Sequence, residues 1–122
     1  MDQSIDRIQD AELEVLQVLW KAGKPLPLSE IRQSLAEEKR WEASTVKTLL
    51  RRLCDKGAVQ LVRRGVYEPL VTEDAYQRRT NQKYLSRLFD GSAKKLVASL
   101  VSDGALSQED LMELYEMFNR EV

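Results

Sequence analysis

The chain has 122 residues, a formal net charge of −1, no histidine and a single cysteine, Cys54. This composition excludes histidine catalysis, histidine metal ligands and an internal disulfide, and a lone thiol cannot hold zinc or copper, so no metal or cofactor is expected. Because the chain as a whole is not cationic, any binding to nucleic acid has to come from a local cluster of positive charge.

Two amphipathic helices are predicted first. The segment DAELEVLQVLWKAGK has apolar residues at helical spacing, with Asp10 as the predicted N-cap and Gly23 as the stop. The segment PLPLSEIRQSLAEEK predicts a second, shorter helix with Pro27 in its first turn. Each helix has one apolar stripe, so both are expected to pack on a shared core.

The third predicted helix, in WEASTVKTLLRRLCDKG, has two unlike faces. Its apolar residues recur at the spacing of one buried face, and Gly57 follows as the stop. Residues 39–64 carry eight Lys or Arg and two Asp or Glu. The opposite face holds small hydroxyls and cations: Ser44, Thr45, Lys47, Thr48, Arg51 and Arg52.

The pattern changes from helix to strand after Gly57. Residues 59–62 and 66–71 are two β-type runs on either side of Arg63, Arg64 and Gly65, which predicts a hairpin with a basic tip. Pro69 cannot donate a hydrogen bond to a neighbouring strand, so its strand is expected at an edge or to end there.

Three more helices are predicted after the hairpin. Thr72 is the predicted cap of the first, and Ser107 and Asp110 form a capping box at the start of the last. These helices are too short to bury all their apolar residues alone, which favours a two-fold dimer. The predicted dimerisation residues are Tyr84, Leu88, Phe89, Leu96, Leu100, Leu114 and Phe118.

Three helices followed by a basic hairpin predict a winged helix-turn-helix domain over residues 1–72, with a three-helix dimerisation domain over residues 73–122. The fold class is mainly α with a small β-hairpin. In such a domain the helix before the wing enters the DNA major groove. Hydroxyls near its start can reach base edges, cations further along meet phosphates, and Arg63 and Arg64 contact the flanking backbone or minor groove. A dimer would match a palindromic operator, with half-sites about 10 base pairs or a multiple apart.

Other interpretations of these residues stay open. The polar face of the third helix could be an ordinary solvated surface, and the chain a winged-helix protein–protein interaction module that does not bind specific DNA. Cys54 is expected to be a small half-buried residue and not a redox sensor. An enzyme is not expected, since the chain has no phosphate-binding glycine loop and no plausible pair of catalytic carboxylates.

The N-terminal residues and the hydropathy of the chain predict its location in the cell. The N-terminus MDQSIDRIQD is polar and acidic, unlike a signal peptide. No apolar run approaches the roughly 20 residues that span a bilayer. We therefore expect a cytoplasmic protein that does not insert into a membrane.

Three segments also resemble a known family. The runs DAELEVLQVLW, WEASTVKTLLRRLCDKG and YEPLV are similar to the penicillinase repressor and methicillin-resistance repressor family, which includes copper-responsive repressors. The resemblance covers essentially the whole chain. Its strongest part, W…TVKTLLRRLCDKG, resembles the family's recognition segment, although Ala43 and Ser44 replace a proline and a basic residue that are usual there.

The resemblance implies a cytoplasmic homodimeric repressor of a resistance or stress operon. It implies base contacts from the hydroxyls and Lys47 of the third helix, and backbone contacts from Arg51 and Arg52. In antibiotic-responsive members a membrane sensor-protease system leads to cleavage in the C-terminal domain, at a position that corresponds here to Ser99 and Leu100. This chain lacks the familiar Asn-Phe junction. It also lacks the cysteine-rich motif that ends copper-type members.

Overall fold

The computed structural model describes residues 5–121, and these form six α-helices, three short strands and one 3₁₀ turn. The predicted class, mainly α with a small β-hairpin, is confirmed, and the hairpin is part of a small antiparallel sheet. The helices are α1 (Asp10–Ala22), α2 (Leu28–Leu35), α3 (Ala43–Asp55), α4 (Glu73–Leu88), α5 (Ala93–Ser102) and α6 (Gln108–Glu121). The strands are β1 (Leu26–Pro27), β2 (Val59–Arg63) and β3 (Val66–Pro69), and the 3₁₀ turn is Ile5–Arg7.

Helices α1, α2 and α3 bury their apolar stripes against one another. Leu16 and Leu19 of α1, Ile31 of α2, and Leu50 and Leu53 of α3 are no more than 1 % exposed. Full burial of a side chain of this size stabilises a fold by about 1.5–3 kcal/mol. The core therefore fixes α3 on one side and leaves its other side to solvent.

The hairpin belongs to a three-stranded antiparallel sheet in the order β1-β3-β2. Leu26 and Pro27 pair with Tyr67 and Val66 of β3. The sequence predicted the hairpin but not β1, because a two-residue strand has no alternation to detect. The placement of Pro27 in the first turn of α2 was wrong: Pro27 precedes the helix with an extended backbone, φ −74° and ψ 159°.

Several predicted helix ends are confirmed. Gly23 follows α1 in the left-handed conformation, with φ 67°. The hydroxyl of Thr72 accepts a backbone N–H in the first turn of α4, at 3.1 Å. Ser107 and Asp110 form the reciprocal capping box, with side chain to backbone distances of 3.0 and 3.1 Å. Each cap satisfies backbone groups that a helix end would otherwise leave unpaired.

A buried ion pair joins the start of α1 to the end of α3. Gln9, and not the predicted Asp10, is the N-cap of α1. Its backbone N–H donates to Glu12 Oε1 at 3.0 Å, and Lys56 Nζ donates to the same oxygen at 2.6 Å. Lys56 Nζ also donates to the carbonyl of Arg7 at 2.8 Å. Glu12 is fully buried, and within residues 5–121 its Oε2 has no hydrogen-bond partner.

The chain divides into two compact units, Met1–Thr80 (unit 1) and Asn81–Val122 (unit 2). The division falls within α4, whereas the predicted domain boundary lies between residues 72 and 73. The first turns of α4 therefore belong to the unit that contains α1–α3 and the sheet.

Three contacts hold the first turns of α4 within unit 1. The indole N–H of Trp20 donates to the carbonyl of Val71 at 2.8 Å, and the Trp20 ring lies 5.6 Å from that of Tyr76. Arg79 makes a bidentate pair with Asp6, at 2.9 and 2.8 Å. These contacts join α1 and the 3₁₀ turn to residues that precede the division at Thr80.

Unit 2 has no comparable core. Among its described residues 81–120, none is buried, and many large apolar side chains are exposed. Of the predicted dimerisation residues, Phe89, Leu96 and Leu100 are half-buried. The other four are exposed: Tyr84 at 56 %, Leu88 at 66 %, Leu114 at 44 % and Phe118 at 65 %.

Candidate nucleic-acid interface

Helix α3 presents one polar face to solvent because its other face is buried. Val46 and Leu50 are fully buried, and their spacing of four residues places them on one side. From Ala43 to Cys54 the sequence contains no carboxylate. The exposed face of α3 therefore has a positive charge that no acid on the same stretch neutralises.

The structure brings the predicted α3 residues together. Ser44, Thr45 and Lys47 lie exposed in the first turns, and Thr48 is half-buried between them and the later turns. Arg51 and Arg52 follow, both exposed. The order along the helix is hydroxyls first and guanidinium groups last.

The hairpin places its arginines at its tip. Arg63 ends β2, and Arg64 lies in the turn before β3. Both are exposed. Gly65 takes the left-handed conformation in this turn, with φ 75°, which favours glycine. The two arginines line neither of two hollows that border α3, so the tip is a separate part of the same surface.

A hollow of about 390 Å³ lies between α3 and the hairpin. A smaller hollow of about 260 Å³ lies along Thr45, Leu49 and Arg52 of α3. The polar face of α3 thus borders two hollows. The residues that line the larger hollow are Ser44, Lys47, Thr48, Arg51, Cys54, Leu61 and Tyr67.

A family model described as the penicillinase repressor matches residues 8–120. The chain belongs to the penicillinase repressor family. This is a family of transcriptional repressors and not of enzymes, as the resemblance predicted.

Curated proteins support the same assignment. The penicillinase repressor of Bacillus licheniformis is 32 % identical over 118 residues, which cover 94 % of this chain and 91 % of that protein. The methicillin resistance regulatory protein MecI of Staphylococcus aureus (strain N315) is 28 % identical over 123 residues, covering 98 % of this chain and 99 % of that protein. The match therefore spans both units.

A solved structure resembles part of this penicillinase repressor family member. The solution structure of the DNA binding domain of the repressor BlaI is similar with a TM-score of 0.52 and 37 % sequence identity. The match covers 62 % of this chain and 94 % of that one. The predicted winged helix-turn-helix fold is confirmed by this likeness.

Sequence analysis missed three residues of the larger hollow. Leu61 is 53 % exposed on β2, and its partner across the sheet is Tyr67 of β3. Cys54 was noted only as half-buried. Alternation places Leu61 on the same face of β2 as the buried Val59, so no local pattern in the sequence indicates that Leu61 is exposed. A register shift between Leu61 and Arg63 changes the side-chain alternation of this strand.

Two groups that line this hollow, the Cys54 thiol and the Tyr67 hydroxyl, have raised pKa values. Burial, and then the charge of Asp55, raises the pKa of the Cys54 thiol above its ordinary value. Burial, and then the neighbouring Cys54, raises the pKa of the Tyr67 hydroxyl. Both groups therefore stay protonated near neutral pH and add no negative charge beside Lys47 and Arg51, which also line the hollow.

The predicted cleavage junction lies in unit 2. Ser99 and Leu100 are half-buried residues of α5. The carbonyl of Ser99 accepts the N–H of Asp103 at 3.0 Å, so the peptide bond at this position is part of the helix. In the described part of the chain no cluster of potential metal ligands and no helix able to cross a membrane is found.

Proposed function

We propose that this chain is a homodimeric transcriptional repressor that binds a palindromic DNA operator through α3 and the hairpin. One observation carries the proposal: the outward face of α3 holds hydroxyls and cations without any carboxylate, beside a hairpin with an arginine tip. The family membership and the winged-helix fold support it. The regulated genes are proposed to form a resistance or stress operon, after the relatives named above.

The residues divide into two roles. Ser44, Thr45 and Thr48 have short side chains near the start of α3, where they can approach base edges and thymine methyl groups. Lys47 lies in the same turns and lines the same hollow as Ser44 and Thr48, so it is proposed to share the base contacts. Arg51 and Arg52 in α3 and Arg63 and Arg64 in the hairpin are proposed to pair with DNA phosphates. Such contacts position the protein on the duplex but do not read its sequence.

The exposed apolar residues of unit 2 support dimerisation. Monomeric proteins rarely expose many large apolar side chains on one short segment. Leu88 and Phe118 are each about two-thirds exposed. A second copy of unit 2 could cover them in an isologous interface, which would bury the same residues twice. Two DNA-binding units would then face two half-sites.

A cytoplasmic location follows from this role, because the operator is there. Control by a membrane sensor-protease system, with a cut between Ser99 and Leu100, stays a prediction. Because this bond lies inside α5, a protease could cut it only after the helix had opened locally.

The proposal is tested by selecting bound sequences from a random duplex library at near-physiological salt. The expected result is a palindrome, with affinity that falls steeply between about 50 and 200 mM salt. Thr48→Ala should change the preferred sequence, while Arg51→Ala should weaken all sequences alike and lower the salt slope by about 1. Weak binding without any consensus would instead favour the protein–protein interaction module.

A further inference from the structure

We propose that the hollow between α3 and the hairpin accommodates one sugar–phosphate strand of the operator, and that Leu61 packs against a deoxyribose there. This inference rests on the proposed function as a DNA-binding repressor. It adds an apolar contact with the sugar–phosphate backbone of DNA to the proposed polar and cationic contacts. The residue it singles out, Leu61, was not among those expected to bind DNA.

The position of the hollow is the first argument. Helix α3 is proposed to enter the major groove, and the hairpin tip to reach the flanking backbone or minor groove. Adjacent major and minor grooves are separated by one sugar–phosphate strand. That strand has to pass between the two elements, and the hollow of about 390 Å³ is the space between them.

The chemistry of the lining is the second argument. A DNA strand alternates anionic phosphates with sugars whose faces are largely apolar. The hollow has Lys47 and Arg51 on the α3 side and Leu61 with Tyr67 on the hairpin side. Among the described residues, no carboxylate lines it. Cations spaced along one side and an uncharged apolar surface on the other complement such a strand.

The exposure of Leu61 is the third argument. In the free protein Leu61 is 53 % exposed, although the neighbouring core has many buried leucines. Leu61 is paired with Tyr67 on the adjacent strand β3, and both residues line the hollow. A leucine here gains burial when DNA fills the hollow, and burial of apolar surface does not release counterions. The contact should therefore contribute affinity without contributing to the salt dependence.

The chain offers a matched control in the next residue. Val62 is also an apolar residue of β2 and is 44 % exposed, but it does not line the hollow. A serine at either position replaces an exposed apolar side chain of the same strand. The two variants therefore differ mainly in whether the lost side chain faces the hollow.

The test measures the dissociation constants of full-length wild type, Leu61→Ser and Val62→Ser for the palindrome recovered from the selection, across a salt series. Burial of about half a leucine side chain predicts that Leu61→Ser weakens binding about fivefold to tenfold with the salt slope unchanged. Val62→Ser should stay within about twofold of wild type. Thermal unfolding checks that each variant is folded. If Leu61→Ser is unfolded, Leu61→Thr replaces it, because threonine favours strands.

Two results would overturn the inference. One is equal binding by the Leu61 and Val62 variants. The other is a loss for the Leu61 variant that disappears when uracil replaces a single thymine in the operator, because Leu61 would then contact a base methyl and not the backbone. Failure of wild type to bind any duplex is distinct from both, since it would contradict the proposed function itself.

Discussion

The apolar side chains of unit 1 and unit 2 differ in their exposure to solvent. In unit 1 most leucines of α1, α2 and α3 are buried, and Leu50 is fully buried. In unit 2 no described side chain is buried, and Leu88 remains 66 % exposed. The same residue type at helical spacing therefore leads to a closed core in one unit and an open surface in the other.

The difference follows from what each unit contains. Unit 1 has helices that converge on one another and a sheet that covers the remaining side. Unit 2 consists of the end of α4 with α5 and α6, and its apolar stripes lack such a cover. We infer that unit 1 is stable as a single copy, whereas the stability of unit 2 depends on protein concentration through dimerisation.

The largest expected effect comes from the same substitution made in each unit. Leu50→Ala should lower the free energy of unfolding by about 3 kcal/mol, because it leaves a cavity in a closed core. Leu88→Ala should change the unfolding of dilute protein by less than about 0.5 kcal/mol and weaken self-association instead. Urea unfolding and sedimentation equilibrium measure the two quantities. Equal destabilisation by both substitutions would remove the contrast between the units.

The ion pair inside unit 1 gives the next largest effect. Lys56→Met should lower the free energy of unfolding by about 2 kcal/mol, since Glu12 would stay buried without its cation. The double variant with Glu12→Gln should recover part of the loss, because the buried group is then uncharged. The check is a comparison of urea midpoints for the single and double variants. Full stability of Lys56→Met alone would mean that the pair contributes little.

A charge placed on the open surface of unit 2 should act on assembly. Phe118→Asp should weaken dimerisation at least about tenfold, because a carboxylate would be buried between the two copies. Asn119→Asp puts the same charge on the adjacent, polar position of α6 and serves as control. Sedimentation equilibrium at micromolar concentration compares the two. Unchanged association of the Phe118 variant would place the interface elsewhere.

The smallest effect concerns α4, the helix that runs from unit 1 into unit 2. Thr72→Ala removes the hydroxyl that caps α4 and should cost about 1 kcal/mol of stability. Thr80→Ala lies in the interior of the same helix, where alanine is the best helix former, and should be neutral or slightly stabilising. A difference between the two variants in thermal unfolding would show that the cap, and not the threonine content, matters.

The fold was predictable where a residue's neighbours in sequence determine its surroundings. The spacing of Val46 and Leu50 located α3 and its buried face, and Thr72 located the start of α4. Strand β1 was not predictable in this way, because Leu26 becomes a strand residue only through pairing with Tyr67. The ion pair of Glu12 was missed for the same reason, since Lys56 lies far along the chain.

The candidate site likewise contains residues that were predictable from the sequence and one that was not. The hydroxyls and cations of α3 were evident from one helical segment. Leu61 was not, because its importance depends on the register between β2 and β3 and on the position of α3 across the hollow. Contacts between elements distant in sequence leave no local periodic signal.

The positions of the two tryptophans give unit 1 a pair of built-in optical probes. Trp41 lies half-buried just before α3, with the ammonium group of Lys39 5.9 Å from its ring centre. Trp20 lies against Tyr76, and its indole N–H is hydrogen-bonded to Val71. Emission from Trp41 should respond when α3 meets DNA, whereas Trp20 should report on the first turns of α4. Single Trp→Phe variants would separate the two signals without any attached dye.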